Sequence, residues 1–197
     1  MNENTSISEK SALVAIGGNL PSMAGNPEET LQLATRQIDL RSGMRVVSVS
    51  RFWRSPAFPL GSGPDYVNAA IQLQTELSPE GLLAALHEVE AALGRRREGG
   101  RWQSRGIDLD LIAYEDLVRP DAATQDEWRG LSLERQVVEA PETLVLPHPR
   151  MQDRGFVLLP LAEIAPGWRH PRLGKTVAEL LAALPPAAKA DIAPLTS

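Results

Sequence analysis

The residues whose chemistry is easiest to name lie between positions 95 and 110: Arg95, Arg96, Arg97, Arg101 and Arg105, with Trp102 among them, then Asp108 and Asp110 one residue apart. If residues 106–114 form a strand, Asp108 and Asp110 point to one face and Ile107, Leu109 and Leu111 to the other, into a core, because side chains alternate along an extended chain. Two neighbouring carboxylates repel each other unless a cation sits between them. A hard divalent ion such as Mg²⁺, held by one or two carboxylates and by substrate phosphates, meets that need. Guanidinium forks match phosphate oxygens. Alone, the acid pair is compatible with a solvated strand face and the arginine run with a nucleic-acid patch. Together they point to phosphoryl chemistry on a nucleoside triphosphate.

The elements that must position these residues follow from apolar spacing. Residues 12–16 (ALVAI) read as a buried strand leaving through Gly17, Gly18 and Asn19. Asn26 as N-cap, Pro27 at the first position and Glu28 and Glu29 in the first turn start a helix striped by Leu31, Ala34 and Ile38 and ended by Gly43. Residues 44–52 read as a second strand, and 55–64, rich in Pro and Gly, as a loop. Residues 65–77 alternate: Val67, Ala69, Ile71 and Leu73 share one face, Tyr66, Asn68, Ala70 and Gln72 the other. Ser78-Pro79-Glu80 opens a second helix with Leu82, Leu86, Val89 and Leu93 on its core face and Gly94 at its end. His87 and Glu90, one turn apart beside that face, read from pattern alone as surface residues.

Residues 115–142 read as an exposed, acidic insertion near 121–140 with a short helical segment around Trp128, Leu131 and Leu133. Residues 156–164 have helical spacing, with Pro160 near the start or at a kink. Thr176 and Glu179 form a capping box for a helix over 177–184. The ends, 1–10 and 185–197, read as loose tails around one domain over 11–184. The order is strand, helix, strand, strand, helix, strand, then helices. That is the split β-α-β, ferredoxin-like arrangement: an α+β fold whose antiparallel sheet has flanking helices in three α-β-α layers.

Composition narrows the function classes. The net charge of −5 makes the arginine cluster a local feature and counts against a general nucleic-acid-binding module. Cysteine is absent, which excludes disulfides and thiolate sites. No apolar run has membrane-spanning length and the first ten residues lack a signal pattern, so the expectation is a cytoplasmic protein without membrane contacts.

The run R-W-x-x-R-x-I-D-L-D-L-I resembles the signature of the 6-hydroxymethyl-7,8-dihydropterin pyrophosphokinases of folate biosynthesis, which transfer pyrophosphate from ATP to the pterin hydroxymethyl group and release AMP. Three further segments resemble that family in the same order: Ile16-Gly17-Gly18-Asn19-Leu20, Pro64-Asp65-Tyr66-Val67-Asn68-Ala69-Ala70, and Pro147-His148-Pro149-Arg150 through Arg154-Gly155-Phe156. The resemblance implies that Asp108 and Asp110 hold two Mg²⁺ ions bridging the ATP phosphates. It implies that Arg95 and Arg105 hold the triphosphate during transfer. His87, Glu90, Arg97, Arg101, Leu111, His148 and Arg154 become nucleotide contacts. Tyr66 and Phe156 become the two rings that stack the pterin, with Asn68 reading its edge, Trp102 covering it, and Ser55, Pro56, Ala57 and Phe58 meeting it from a loop. The expected partners are ATP and the pterin, with no nucleic acid, and the chain is expected to be a monomer. The sequence departs from the family pattern at Gln103, at Ala57 and Phe58, and at Pro149.

The chemistry agrees with this allocation. A pterin is flat and amide-like and needs two aromatic faces and a short row of donors and acceptors. Transfer shifts negative charge that metal ions and arginines neutralise. A non-catalytic relative would have no need for an intact acid pair.

Overall fold

The structure is a computed structural model that describes residues 9–57, 61–95 and 106–196. Its sheet has the strand order β5-β1-β4-β3-β6, with β2 also on β4. The strands are β1 (Lys10–Gly18), β2 (Met44–Val49), β3 (Trp53–Ser55), β4 (Tyr66–Thr75), β5 (Asp108–Tyr114) and β6 (Ala193–Pro194). Every pairing is antiparallel. The expected α+β, ferredoxin-like sheet is therefore present, with the central pair β1–β4 flanked by β5 on one side and by β2 and β3 on the other.

Helices cover both faces. α1 (Pro27–Asp39) and α2 (Pro79–Ala92) bury Leu31, Ala34, Ile38, Leu82, Leu86 and Val89 against Val14, Ile16, Ile71, Leu73, Leu109 and Leu111. α5 (Gly155–Ile164) and α6 (Val177–Ala183) bury Val157, Leu158, Leu161 and Leu180 against Leu13, Ala70, Ile112 and Ala113 on the opposite face. α1 starts as expected, with a capping box between Asn26 and Glu29 behind Pro27. Thr176 and Glu179 form the second expected box. Pro160 lies inside α5 rather than at its start, where its ring removes the N–H that would have bonded the Phe156 carbonyl.

Four expectations are corrected. The expected strand over 44–52 stops at Val49 and resumes as β3 at Trp53, because Ser50 leaves the ladder to accept the Ala70 N–H through its hydroxyl at 2.9 Å. β5 carries a register shift opposite Leu13 and Val14, so Ile112 and Ala113 both face the α5 layer and Tyr114 returns to the α1–α2 layer. The insertion near 121–140 forms α3 (Ala122–Gly130) and α4 (Leu133–Val138), and Gln125 of α3 is fully buried. Residues 185–197 are not merely a tail: Ala193 and Pro194 pair with Arg54 and Trp53. Their sequence, Ala- and Pro-rich, has none of the β-branched alternation that marks a strand.

Candidate active site

One register row crosses the sheet. Asp108 on β5 faces Gly17 on β1, Gly17 faces Asn68 on β4, and Asn68 faces Trp53 on β3. The next row places Asp110 and Ala70 on either side of Ala15. Asp108, Asp110, Tyr66 and Asn68 thus project from the α5 side of the sheet, at the strand ends that α5 leaves uncovered. The two carboxylates are partly exposed while Ile107, Leu109 and Leu111 are buried on the other face. Between the acids and the amide lie only Gly17 and Ala15, so the surface is low there. A Cβ on Gly17 would lie 3.1 Å from the Asn68 Oδ1.

The acid end is held by the terminus of α2. Gly94, at φ +89°, turns the chain back so that the Gly94 N–H bonds the Ala91 carbonyl at 3.1 Å and the Arg95 N–H bonds the Glu90 carbonyl at 3.0 Å. This is a Schellman ending. It brings the Arg95 guanidinium onto the Glu90 carboxylate and within 2.6 Å of the Asp108 carboxylate. Burial works against the arginine's charge, but Asp108 and Glu90 outweigh it and raise its pKa. Glu90 is 1% exposed and also accepts the Leu109 N–H at 2.7 Å, satisfying a donor on the outer edge of β5. The surface reading of Glu90 is therefore wrong. Glu90 lies four residues after Leu86 and three before Leu93, on the buried stripe, but that place alone does not distinguish a buried carboxylate from a solvated one.

The other end of the row presents Asn68, with Tyr66 two residues before it on β4. The Asn68 amide donates to the Ser55 hydroxyl at 2.9 Å and to the Trp53 carbonyl at 3.4 Å, fixing its rotamer and leaving Oδ1 toward Gly17. Tyr66 is the ladder partner of Ser55. Phe156, in the first turn of α5, is 37% exposed, and the Arg154 guanidinium lies 5.6 Å from its ring centre. Ser55, Pro56, Phe156, Arg150 and Arg154 line a cleft of about 300 Å³, together with Gln136 of α4 and Ala187, Ala188, Ala190 and Ile192. His148 donates its backbone N–H to Ile112 at 2.8 Å and accepts the Arg150 N–H on Nδ1 at 3.1 Å. Its pKa is lowered to about 3, by burial first and then by Arg154 and Arg150, against the pull of Asp108. It is therefore a neutral imidazole at physiological pH.

This arrangement can hold a polyphosphate at one end of the row and a flat amide-bearing ring at the other. The family model described as 7,8-dihydro-6-hydroxymethylpterin-pyrophosphokinase matches residues 13–166. The chain belongs to this pyrophosphokinase family. It is 40% identical over 170 residues to a 2-amino-4-hydroxy-6-hydroxymethyldihydropteridine pyrophosphokinase of Synechocystis, covering 86% of this chain and 74% of that one. The enzyme of the same name from Methylorubrum extorquens is 38% identical over 175 residues, covering 89% and 94%. Among solved structures, Plasmodium falciparum HPPK-DHPS superposes with a TM-score of 0.60 at 13% identity, covering 91% of this chain and 45% of that one. That likeness concerns the fold alone, and this chain spans less than half of the longer protein.

Within the pyrophosphokinase family frame, most of the described site residues expected from the sequence fall into two groups. Asp108, Asp110, Arg95, Glu90 and His148 lie around the β5 end; Ser55, Pro56, Ala57, Tyr66, Asn68, Arg154 and Phe156 lie around β3, β4 and the start of α5. His87 is half-buried on α2, one turn before Glu90. Leu111 is corrected: its side chain is 3% exposed in the α1–α2 core, so a nucleotide could meet only its backbone. Phe58, Arg97, Arg101, Trp102, Gln103 and Arg105 lie outside the described residues.

Proposed function

We propose that the protein transfers pyrophosphate from ATP to the hydroxymethyl oxygen of 6-hydroxymethyl-7,8-dihydropterin and releases AMP, a step of folate biosynthesis. The observation that carries this reading is the shared face of Asp108, Asp110, Tyr66 and Asn68, with the Arg95 guanidinium 2.6 Å from Asp108. The pterin oxygen forms a bond to the β-phosphorus as the bond from that phosphorus to the α-phosphate oxygen breaks, and the hydroxyl proton is released. No protein nucleophile takes part.

The acid pair fits magnesium. Both carboxylates are partly exposed on one face, where substrate phosphates could complete an ion's ligands. When bound, one or two such ions held by Asp108 and Asp110 supply charge neutralisation on the phosphate oxygens. Arg95 has a second carboxylate, Glu90, that keeps its guanidinium in place when Asp108 turns to a cation. Asn68, with its amide group already committed to Ser55, offers Oδ1 to ring donors. Tyr66 and Phe156 supply the stacking faces. The neutral His148 and Arg154, whose charge acts on His148 and lies beside the Phe156 ring, are further proposed ATP contacts, while Arg97, Arg101, Trp102 and Arg105 complete the proposed ATP and pterin contacts. The proposal includes a cytoplasmic, monomeric enzyme that binds neither membrane nor nucleic acid, the last point supported by the net charge of −5.

Incubation with ATP, Mg²⁺ and the hydroxymethyl pterin should yield AMP; ADP as the product would refute attack at the β-phosphorus. Asp108→Ala or Asp110→Ala should lower turnover by ~10²-fold or more with the fold intact, since each removes a group that carries transition-state charge. An unchanged turnover number in either variant would end the metal assignment.

A further inference from the structure

The last residues of the chain lie beyond the family-matched span, which ends at residue 166, yet they are built into the wall of the cleft. β3 has only three residues, and among the described residues its outer edge is met by β6. Pro194 pairs with Trp53, Ala193 with Arg54, and the Leu195 N–H bonds the Phe52 carbonyl at 2.8 Å. Immediately after this brace come Ser55, Pro56 and Ala57, with Ser55 5% and Ala57 6% exposed. The same segment presses on the start of α5. A Cβ on Gly155 would fall 2.1 Å from the Ala188 carbonyl oxygen and 3.0 Å from the Ile192 Cδ1, so only glycine fits beside Phe156 while residues 188–192 hold this path. Ala187, Ala188, Ala190 and Ile192 line the cleft that Ser55, Pro56 and Phe156 also line.

We propose that residues 185–195 are a positioning element for the pterin half of the site, holding the 55–57 loop and Phe156 in their binding arrangement before the ring arrives. The inference rests on the pyrophosphokinase reading. A three-residue strand with one neighbour frays, and a loop that must order on binding loses affinity to the entropy of ordering. Bracing by β6 removes that loss in advance. Asp108, Asp110 and Arg95 are at or beside β5, the opposite end of the sheet from β6, so the brace acts on the ring and leaves the acid pair alone.

Two variants test this: a chain ending at Leu184, and the full chain with Leu195→Pro, which removes the N–H that bonds Phe52 and fixes φ at position 195. AMP formation is followed against pterin and against ATP, and amide exchange over residues 52–57 is measured without ligand. The truncation should raise the pterin KM ~10-fold and Leu195→Pro by a smaller factor, with the ATP KM within about 2-fold of the parent and faster exchange over 52–57 in both. Pterin and ATP KM values rising together, or an unmoved pterin KM in the Leu195→Pro protein despite faster exchange, would overturn the proposal. A truncated chain that fails to fold leaves the decision to Leu195→Pro. A parent protein that forms no AMP would instead refute the underlying pyrophosphokinase reading.

Discussion

Gly17 sets how near the Asn68 amide can lie to the acid pair, because it is the residue between Asp108 and Asn68 in their shared row. Adding a methyl there brings it 3.1 Å from the Asn68 Oδ1, and Asn68 has little room to yield, its amide being tied to Ser55 at 2.9 Å. Gly17→Ala should weaken pterin binding roughly 10-fold, as a few tenths of an ångström of forced shift at a committed hydrogen-bonding group would. Titration of the pterin without nucleotide checks this; a loss confined to ATP affinity would contradict it. At this scale the sequence was informative about Asp108, Asp110, Tyr66 and Asn68, since alternation alone assigns them a face. It was silent about Glu90. A carboxylate on an apolar stripe has the same pattern whether it is solvated or buried against Arg95 and the Leu109 N–H, and only the packing of α2 on β5 separates the two.

Among the elements, the end of α2 has the most direct bearing on function. Among the described residues nothing lies within 4 Å of a Cβ placed on Gly94, so the expected cost is conformational, from φ +89°. Gly94→Ala should cost about 1–2 kcal/mol of stability. Because the same turn aims Arg95 at Asp108, it should also lower turnover more than this stability loss accounts for. Denaturant unfolding beside a turnover assay separates the two effects, and a stable variant of full activity would show that Arg95 does not need the turn. Long periodic elements such as α1, α2 and β4 were legible because ten to fourteen residues of consistent spacing outweigh local ambiguity. β3 and β6 were not, because strands of three and two residues carry no period, and their pairing is decided by what lies beside them in space. The shift within β5 was equally hidden: Ile112 and Ala113 are both apolar, so neither reveals which face it takes.

The whole molecule binds its outer α5–α6 layer to the insertion through charged and buried polar groups. His170 is fully buried, and its Nδ1 accepts the Arg172 and Leu173 N–H groups at 3.1 and 3.2 Å. Asp126 of α3 pairs with Arg129 at 2.7 Å and Arg172 at 2.5 Å. Burial, then Arg129 and Arg172, lower the His170 pKa to about 4, against the pull of Asp126. The unfolded chain binds a proton near pH 6.5 that the folded chain refuses. The folded-state contribution is therefore complete above that pH and is lost as pH falls toward about 4, amounting to up to about 3 kcal/mol for a shift of this size. Urea midpoints measured near about pH 7.5 and about pH 4.5 should drop less in His170→Asn than in the parent. His148, lowered to about 3, slopes the same way, so one substitution flattens only part of the curve. An equal drop in both proteins would remove His170 from the acid response.

The row through Asp108, Gly17 and Asn68 also works as a ruler. Its divisions are the spacings between hydrogen-bonded strands, about 4.7–4.9 Å each, so the backbones carrying the carboxylate and the amide stand on the order of 10 Å apart. Side-chain exchanges can change what is gripped at either mark, but the interval belongs to the ladder itself. An alcohol whose reacting oxygen hangs from a longer stem than the hydroxymethyl arm should seat its ring and still overshoot the phosphorus, making length a criterion of selection as strict as ring chemistry.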